Sequence, residues 1–174
     1  MREVLRTRRL ALREMAASDL DFVAAMLADA QVMRFYPKPL SRGQARDWIE
    51  RQVRRYAEHG HGLWLAIETD TGQPVGQAGL VAQNVEGRVE PEIGYLLHTP
   101  FWHRGFATEA GLAIRDHAFA LGHPHVVSLI RPENLPSQAV ARRLGMQPAR
   151  EVEFHGLPHL LFSILRETAS PGPD

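Results

Sequence analysis

Between residues 91 and 130 the chain reads strand, glycine-containing loop, helix, strand, and this order constrains the fold more than any other feature. Two strands joined across a helix lie parallel in one sheet, with the helix packed on a face. The run Glu92-Ile93-Gly94-Tyr95-Leu96-Leu97 forms the first strand, and residues 126–130 form a short apolar strand of the kind buried on both faces. Arg104-Gly105-Phe106-Ala107-Thr108-Glu109-Ala110 opens the helix. Helix N-termini carry unpaired N–H groups and about half a positive charge. Small residues there let a phosphate approach the backbone. The segment therefore predicts a pyrophosphate-bearing ligand held mainly by main-chain amides.

The flanking segments add strands and helices. Leu10 and Leu12 alternate between arginines in 7–14, a first strand. Ser18 is expected to cap a helix with Asp19 and Asp21 in its first turn. Pro37 and Pro39 bar helix through 33–39. Ser41 and Gln44 form a capping box for a second helix, with Ala45, Trp48, Ile49, Val53 and Tyr56 on its buried side. Strands follow at 63–68 and 74–83, and Pro91 suits the start of the next one because it offers no ladder donor. Asn134 caps a last helix, Pro136 fits its first turn and Gly145 ends it. Strands at 147–154 and 159–165 flank the turn His155-Gly156-Leu157-Pro158. The pattern predicts a mixed α/β (α+β) fold, a central sheet of about seven strands with about four helices on both faces. Residues 1–167 read as one domain and 168–174 as a flexible tail.

Composition narrows the function. Lys+Arg and Asp+Glu are both 20, so no net field draws the chain to nucleic acid or to an anionic membrane. There is no cysteine, which excludes a disulfide framework, a cysteine–zinc site and a thiol nucleophile. The nine histidines show no metal-ligand spacing, so no metal is expected. No apolar run reaches membrane-spanning length, and the first residues lack the apolar core of a signal peptide; a cytoplasmic location is the expectation.

Four stretches resemble the GNAT superfamily of acyl-CoA-dependent N-acetyltransferases, and within it the ribosomal-protein-alanine N-acetyltransferase branch. They are Leu5-Arg6-Thr7-Arg8-Arg9-Leu10-Ala11-Leu12-Arg13, Glu92-Ile93-Gly94-Tyr95-Leu96-Leu97, Trp102-His103-Arg104-Gly105-Phe106-Ala107-Thr108-Glu109-Ala110, and Asn134-Leu135-Pro136-Ser137 ending in Arg143-Leu144-Gly145-Met146. The resemblance implies a GNAT-like fold, acetyl-CoA as co-substrate, an amine as acceptor and no metal; it leaves a homodimer open. In that family the pantetheine arm pairs with the central strand, which places cofactor donors near Leu96 and Leu97. Residues His103, Arg104, Gly105, Phe106, Ala107 and Thr108 match the pyrophosphate loop, and Asn134, Ser137 and Arg143 match cofactor positions of the last helix. Two positions depart. Trp102 stands where the superfamily loop often begins with Gln or Arg, so His103 and Arg104 are the side chains left to reach phosphate. Ala141 stands where many members carry a tyrosine that protonates the leaving thiol.

The implied reaction is acyl transfer from a thioester to a neutral amine. Glu92 is the candidate general base or amine ligand, because a carboxylate inside a central strand needs water or a purpose; the alternative is a strand-end glutamate in a surface ion pair. Glu90 has the same parity and is the substitute, although Pro91 is expected to place it outside the strand. Ser137 is either a proton donor to the thiolate, directly or through water, or a first-turn serine bonded to its own helix. Phe35, Tyr36 and His155 are candidate walls of the acceptor groove and Trp64 its floor, with ordinary packing as the alternative for each aromatic. An α-amine with a pKa of about 7.7–8.0 is far easier to deprotonate at pH 7 than a lysine near 10.4. A protein N-terminal α-amine is thus the expected acceptor. A small-molecule amine such as an antibiotic or polyamine is the alternative, and a catalytically weak acyl-CoA sensor domain is the rival from another class.

Overall fold

The computed structural model describes residues 1–167, so the tail expected at 168–174 lies outside the described residues. The elements run β1 (Glu3–Arg6), β2 (Leu10–Arg13), α1 (Leu20–Ala28), α2 (Arg42–His59), β3 (Leu63–Glu68), β4 (Pro74–Val85), β5 (Arg88–Leu97), α3 (Phe106–Ala120), β6 (His125–Ile130), α4 (Leu135–Arg143), β7 (Gln147–Phe154) and β8 (Leu157–Leu165). One sheet of eight strands has the order β1-β2-β3-β4-β5-β6-β8-β7. Every neighbouring pair is antiparallel except β5 with β6, joined through α3. The mixed α/β architecture thus follows the sequence pattern, with one strand more than expected. Residues 7–14 do not form a single strand; Thr7 to Arg9 turn the chain between β1 and β2.

Alternation along the strands builds a core on each face. Trp64 and Ala66 of β3 point to the α3 side, where Leu10, Leu12, Ile93, Phe106, Ala110, Ile114 and Phe162 join them. Leu63 and Leu65 point the other way, to Val23, Leu27, Ala45 and Ile49 of α1 and α2. In α2 the expected capping box is present, with Ser41 Oγ accepting from Gln44 N–H and Gln44 Oε1 from Ser41 N–H. Val53, expected inside, is exposed; the buried polar Gln52 lies inside instead and accepts the Leu63 N–H. Ser18 does not cap α1. It sits in a 3-10 turn, while buried Asp19 takes the Ala16 N–H and a two-pronged bond from Arg13.

The start of α3 is tied to the β1–β2 turn by Glu109. Its carboxylate accepts from Thr7 Oγ1 at 2.6 Å, Arg9 N–H at 2.8 Å and Arg9 Nε at 2.7 Å. Burial would raise its pKa, but these bonds outweigh it and hold the carboxyl below its ordinary 4.5. A depressed folded-state value contributes stability above the unfolded pKa that is lost as pH falls through the folded one. Glu109→Ala should therefore cost about 2–4 kcal/mol in urea unfolding at pH 7, since it strands three donors, and clearly less at pH 3.

Candidate active site

The sheet divides where its one parallel pair begins. β5 keeps its ladder with β4 from Arg88 to Leu97, whereas β5 and β6 share the single register pair Glu92↔Val127. Ser128 Oγ donates to the Ile93 C=O at 2.8 Å, and beyond that bond the two strands carry no ladder. His98 donates its N–H to Val75 on the β4 side, while Ile93 points its C=O the opposite way. Alternation then directs the main-chain groups of Tyr95 and Leu97 to the open edge and those of Leu96 to β4. Trp102 agrees with this: its indole N–H donates to the Leu97 C=O at 2.8 Å. Of the two expected donor positions, Leu97 therefore faces the gap, and Leu96 contributes its side chain. Pro91 sits inside β5, opposite Ala82, with its donorless nitrogen on the side away from β4. Glu90 is consequently within the strand, but it pairs with His125 at 2.5 Å and does not line the cleft.

A cleft of about 290 Å³ occupies the split. It passes between Gly94, Tyr95 and Leu96 on one edge and Ser128 to Arg131 on the other. Glu92, Phe35, Tyr36, Asn134, Ser137 and His155, six of the residues singled out from sequence, all line it. Glu92 is partly buried beside Val81, on the α1–α2 face. Burial pushes its carboxyl from the ordinary 4.5 up to about 7, against the Leu129 N–H and the Arg55 charge, which lower it. Tyr36 is 42% exposed, yet its hydroxyl is raised to about 12, by burial first and the Glu92 charge second. On the opposite edge, Asn134 Oδ1 caps α4 by accepting the Ser137 N–H. Ser137 Oγ has no protein hydrogen-bond partner among the described residues, which leaves it open to the cleft it lines. Tyr95 bridges the gap and donates to the Ser137 C=O at 2.9 Å. That clamp between β5 and α4 was not legible in the sequence, where Tyr95 reads as one more strand aromatic.

Beside the cleft, α3 begins on Gly105 at φ 80° with no side-chain cap, whereas α2 and α4 are capped by Ser41 and Asn134. The first helical bond runs from Glu109 N–H to Gly105 C=O. The N–H groups of Phe106, Ala107 and Thr108 therefore point out of the helix end unpaired. Phe106 itself is fully buried, so only its backbone is available. His103 is exposed and also in the left-handed region, at φ 59°.

Three other singled-out residues, Trp64, Arg104 and Arg143, lie away from the cleft. Trp64 is fully buried against His117 of α3 and forms no floor. It belongs to the opposite core because strand alternation sends it away from Leu63 and Leu65. Arg104 is ion-paired to Glu68 and lies over the Phe101 and Phe106 rings, so its guanidinium is engaged. Arg143 is exposed at the end of α4 and does not line the cleft. The turn at residue 155 is a two-residue one, with His155 at φ 52° and Gly156 at φ 73°, and β8 starts at Leu157. Trp102 packs beside Arg34, which stacks on its ring and on Phe35. Arg34 thus joins the loop before α3 to Phe35 on the cleft wall. Among the described residues no helix is long and apolar enough to cross a membrane, and no group of three acidic or histidine side chains is placed to hold a metal.

Comparison with known proteins agrees with this geometry. A family model described as an acetyltransferase (GNAT) domain matches residues 9–147. The protein YkkB of Bacillus subtilis is 33% identical over 87% of this chain and 90% of its own length. N-acetyltransferase p20 of Bacillus licheniformis is 31% identical over 83% of each. An acetyltransferase structure from Agrobacterium tumefaciens superposes with a TM-score of 0.79 at 29% identity, covering 93% of this chain and 94% of that one. RimL, a ribosomal L7/L12 α-N-protein acetyltransferase solved with coenzyme A, shares the fold at a TM-score of 0.78 and 17% identity, over 94% and 98% of the two chains. With an uncapped helix beside a split sheet and a carboxylate at the split, the chain belongs to the GNAT acetyltransferase family and is an N-acetyltransferase.

Proposed function

We propose that this enzyme moves an acetyl group from acetyl-CoA directly to a protein N-terminal α-amine. The observation that carries the reading is Glu92, a carboxylate with a pKa raised to about 7 at the point where the sheet opens. The diphosphate of acetyl-CoA rests on the N–H groups of Phe106, Ala107 and Thr108, where the helix dipole favours negative charge. The pantetheine arm runs along the open edge of β5 past the Leu97 and Tyr95 main-chain groups, and the Tyr95 N–H, which lies nearer to Glu92 along the strand than Leu97 does, suits the oxyanion that forms on the thioester oxygen. Glu92 accepts the proton of the attacking amine, directly or through one water. Nitrogen bonds to the acetyl carbon, the tetrahedral intermediate collapses, the carbon–sulfur bond breaks, and the thiolate takes a proton from Ser137 Oγ or from water. With no cysteine in the chain, no thiol acyl-enzyme competes with direct transfer.

A base titrating near 7 suits an α-amine, which is already partly neutral at that pH, better than a lysine. The fold likeness to RimL points the same way. A small-molecule amine is the second reading, favoured by the modest cleft of about 290 Å³. The test is a proteome-wide comparison of acetylated N-termini in cells with and without the gene, joined to thiol release from acetyl-CoA with purified protein. A defined set of N-termini that lose acetylation, and whose peptides release thiol in vitro, is the expected result. Tight acetyl-CoA binding with no turnover on any amine would overturn the enzymatic reading in favour of a sensor.

A further inference from the structure

The geometry points to an acceptor that carries a carboxylate, received by Arg131 inside the same cleft; this rests on the acyl-transfer reading above. Arg131 directly follows β6 and lines the cleft with its side chain only 19% exposed. Its Nη2 pairs with Glu133, which is 54% exposed and does not line the cleft. Its Nε is buried with no acceptor among the described residues. Two other buried side-chain donors share that condition, Trp64 Nε1 and Gln77 Nε2, but both belong to side chains sealed in the core at 0% and 1% exposure. Of the three residues, Arg131 alone lines this cleft. A buried cationic N–H left without an acceptor costs free energy that an incoming anion would return.

The charges in the cleft agree. The ionisable groups along its wall, besides two tyrosines, are Glu92, Arg131, His155 and His159. His159 is held towards its neutral form, by burial first and, among nearby charges, by Arg131 foremost, against a raising bond to the Leu157 C=O. Arg131 is thus the permanent charge of the pocket, and it is positive. Position matters as much as sign. The Leu129 N–H faces the Glu92 carboxylate, and Arg131 lies two residues further along, about 7 Å at the strand rise. One small skeleton can hold its amine at Glu92 and its carboxylate at Arg131. A polyamine would meet a like charge there and lose affinity.

Two sources supply such a group: the carboxylate of a free amino acid, or the acidic side chain of an N-terminal Asp or Glu in a peptide. The test measures thiol release from acetyl-CoA, taken per neutral amine, with acceptor pairs matched in size, glutamine against its α-amide and Asp-Ala-Ala-amide against Asn-Ala-Ala-amide, with spermidine as a cation. The carboxylate-bearing member of at least one pair should be preferred by about tenfold or more in kcat/KM. The pair that shows the preference identifies the source. Arg131→Gln should bring the ratio towards one through KM, and Arg131→Lys should restore part of it. The wild-type ratio needs no variant to fold. Equal use of both members, turnover confined to neutral or cationic amines, or an equal loss on both members in Arg131→Gln would overturn the inference and leave acetyl transfer standing. Thiol release with no amine at all would overturn both.

Discussion

Glu92→Gln should lower kcat/KM for an amine acceptor by about 10²–10⁴-fold, the usual worth of a positioned proton acceptor, with acetyl-CoA affinity close to that of the parent protein. The amide has the shape of the carboxylate but cannot take the ammonium proton. The pH profile makes the assignment specific. Activity of the parent should rise with pH through about 7 as Glu92 ionises, and rise again at the pKa of the amine itself. Changing the amine should move the second rise and leave the first in place. Glu92→Gln should abolish the first.

The same substitution should stabilise the fold at alkaline pH. An unfolded glutamate titrates near 4.5 and Glu92 in the fold near 7. Between those values the folded chain holds one proton more than the unfolded chain, so stability falls as pH rises through the window and levels off above it. The difference amounts to at most about 3 kcal/mol, less the share that solvent screens at this partly exposed site. Glutamine carries no charge to bury. Glu92→Gln should therefore melt higher than the parent at pH 8 and alike at pH 4. A glutamate kept for structure would show the opposite, a lower Tm with activity largely retained.

What could be read from the chain divides along a physical line. Local rules act within a few residues, and they reach the Ser41–Gln44 capping box, the Asn134 cap and the parity that puts Glu92 on the face opposite Ile93 and Tyr95. Long-range pairings leave no such trace. Arg104 looked free for phosphate because Glu68, its partner, lies 36 residues away. Trp64 looked like a groove aromatic because its parity relative to α3 depends on which strand neighbours which. Arg131 belongs to no local motif for the same reason, since only the β5–β6 split turns a strand-end arginine into a cleft wall. Tyr95 and Trp102 belong with them: each acts through a bond to a backbone carbonyl, and no side-chain pattern announces it.

Gly105→Val should weaken acetyl-CoA binding by about 100-fold or more, since two lost hydrogen bonds to a charged group suffice for that. Two causes must be separated. Gly105 stands at φ 80°, where a β-branched residue is strained by about 1–3 kcal/mol, so some loss of Tm is expected whatever the ligand does. The second cause is crowding of the space before the Phe106, Ala107 and Thr108 amides. A Cβ alone meets only Arg9 Nη2 at 3.4 Å, the mobile end of a long side chain, so Gly105→Ala should keep more affinity than valine. Asparagine tolerates the left-handed conformation but is as bulky as valine. Gly105→Asn should therefore recover most of the Tm and little of the affinity if the diphosphate sits against these amides. Recovery of both would mean that backbone strain was the whole effect. The donor supplies the final check. S-acetyl-pantetheine has no diphosphate, so its use should fall far less than that of acetyl-CoA in Gly105→Val. An equal fall with both donors would move the diphosphate away from the α3 N-terminus and take the cofactor assignment with it.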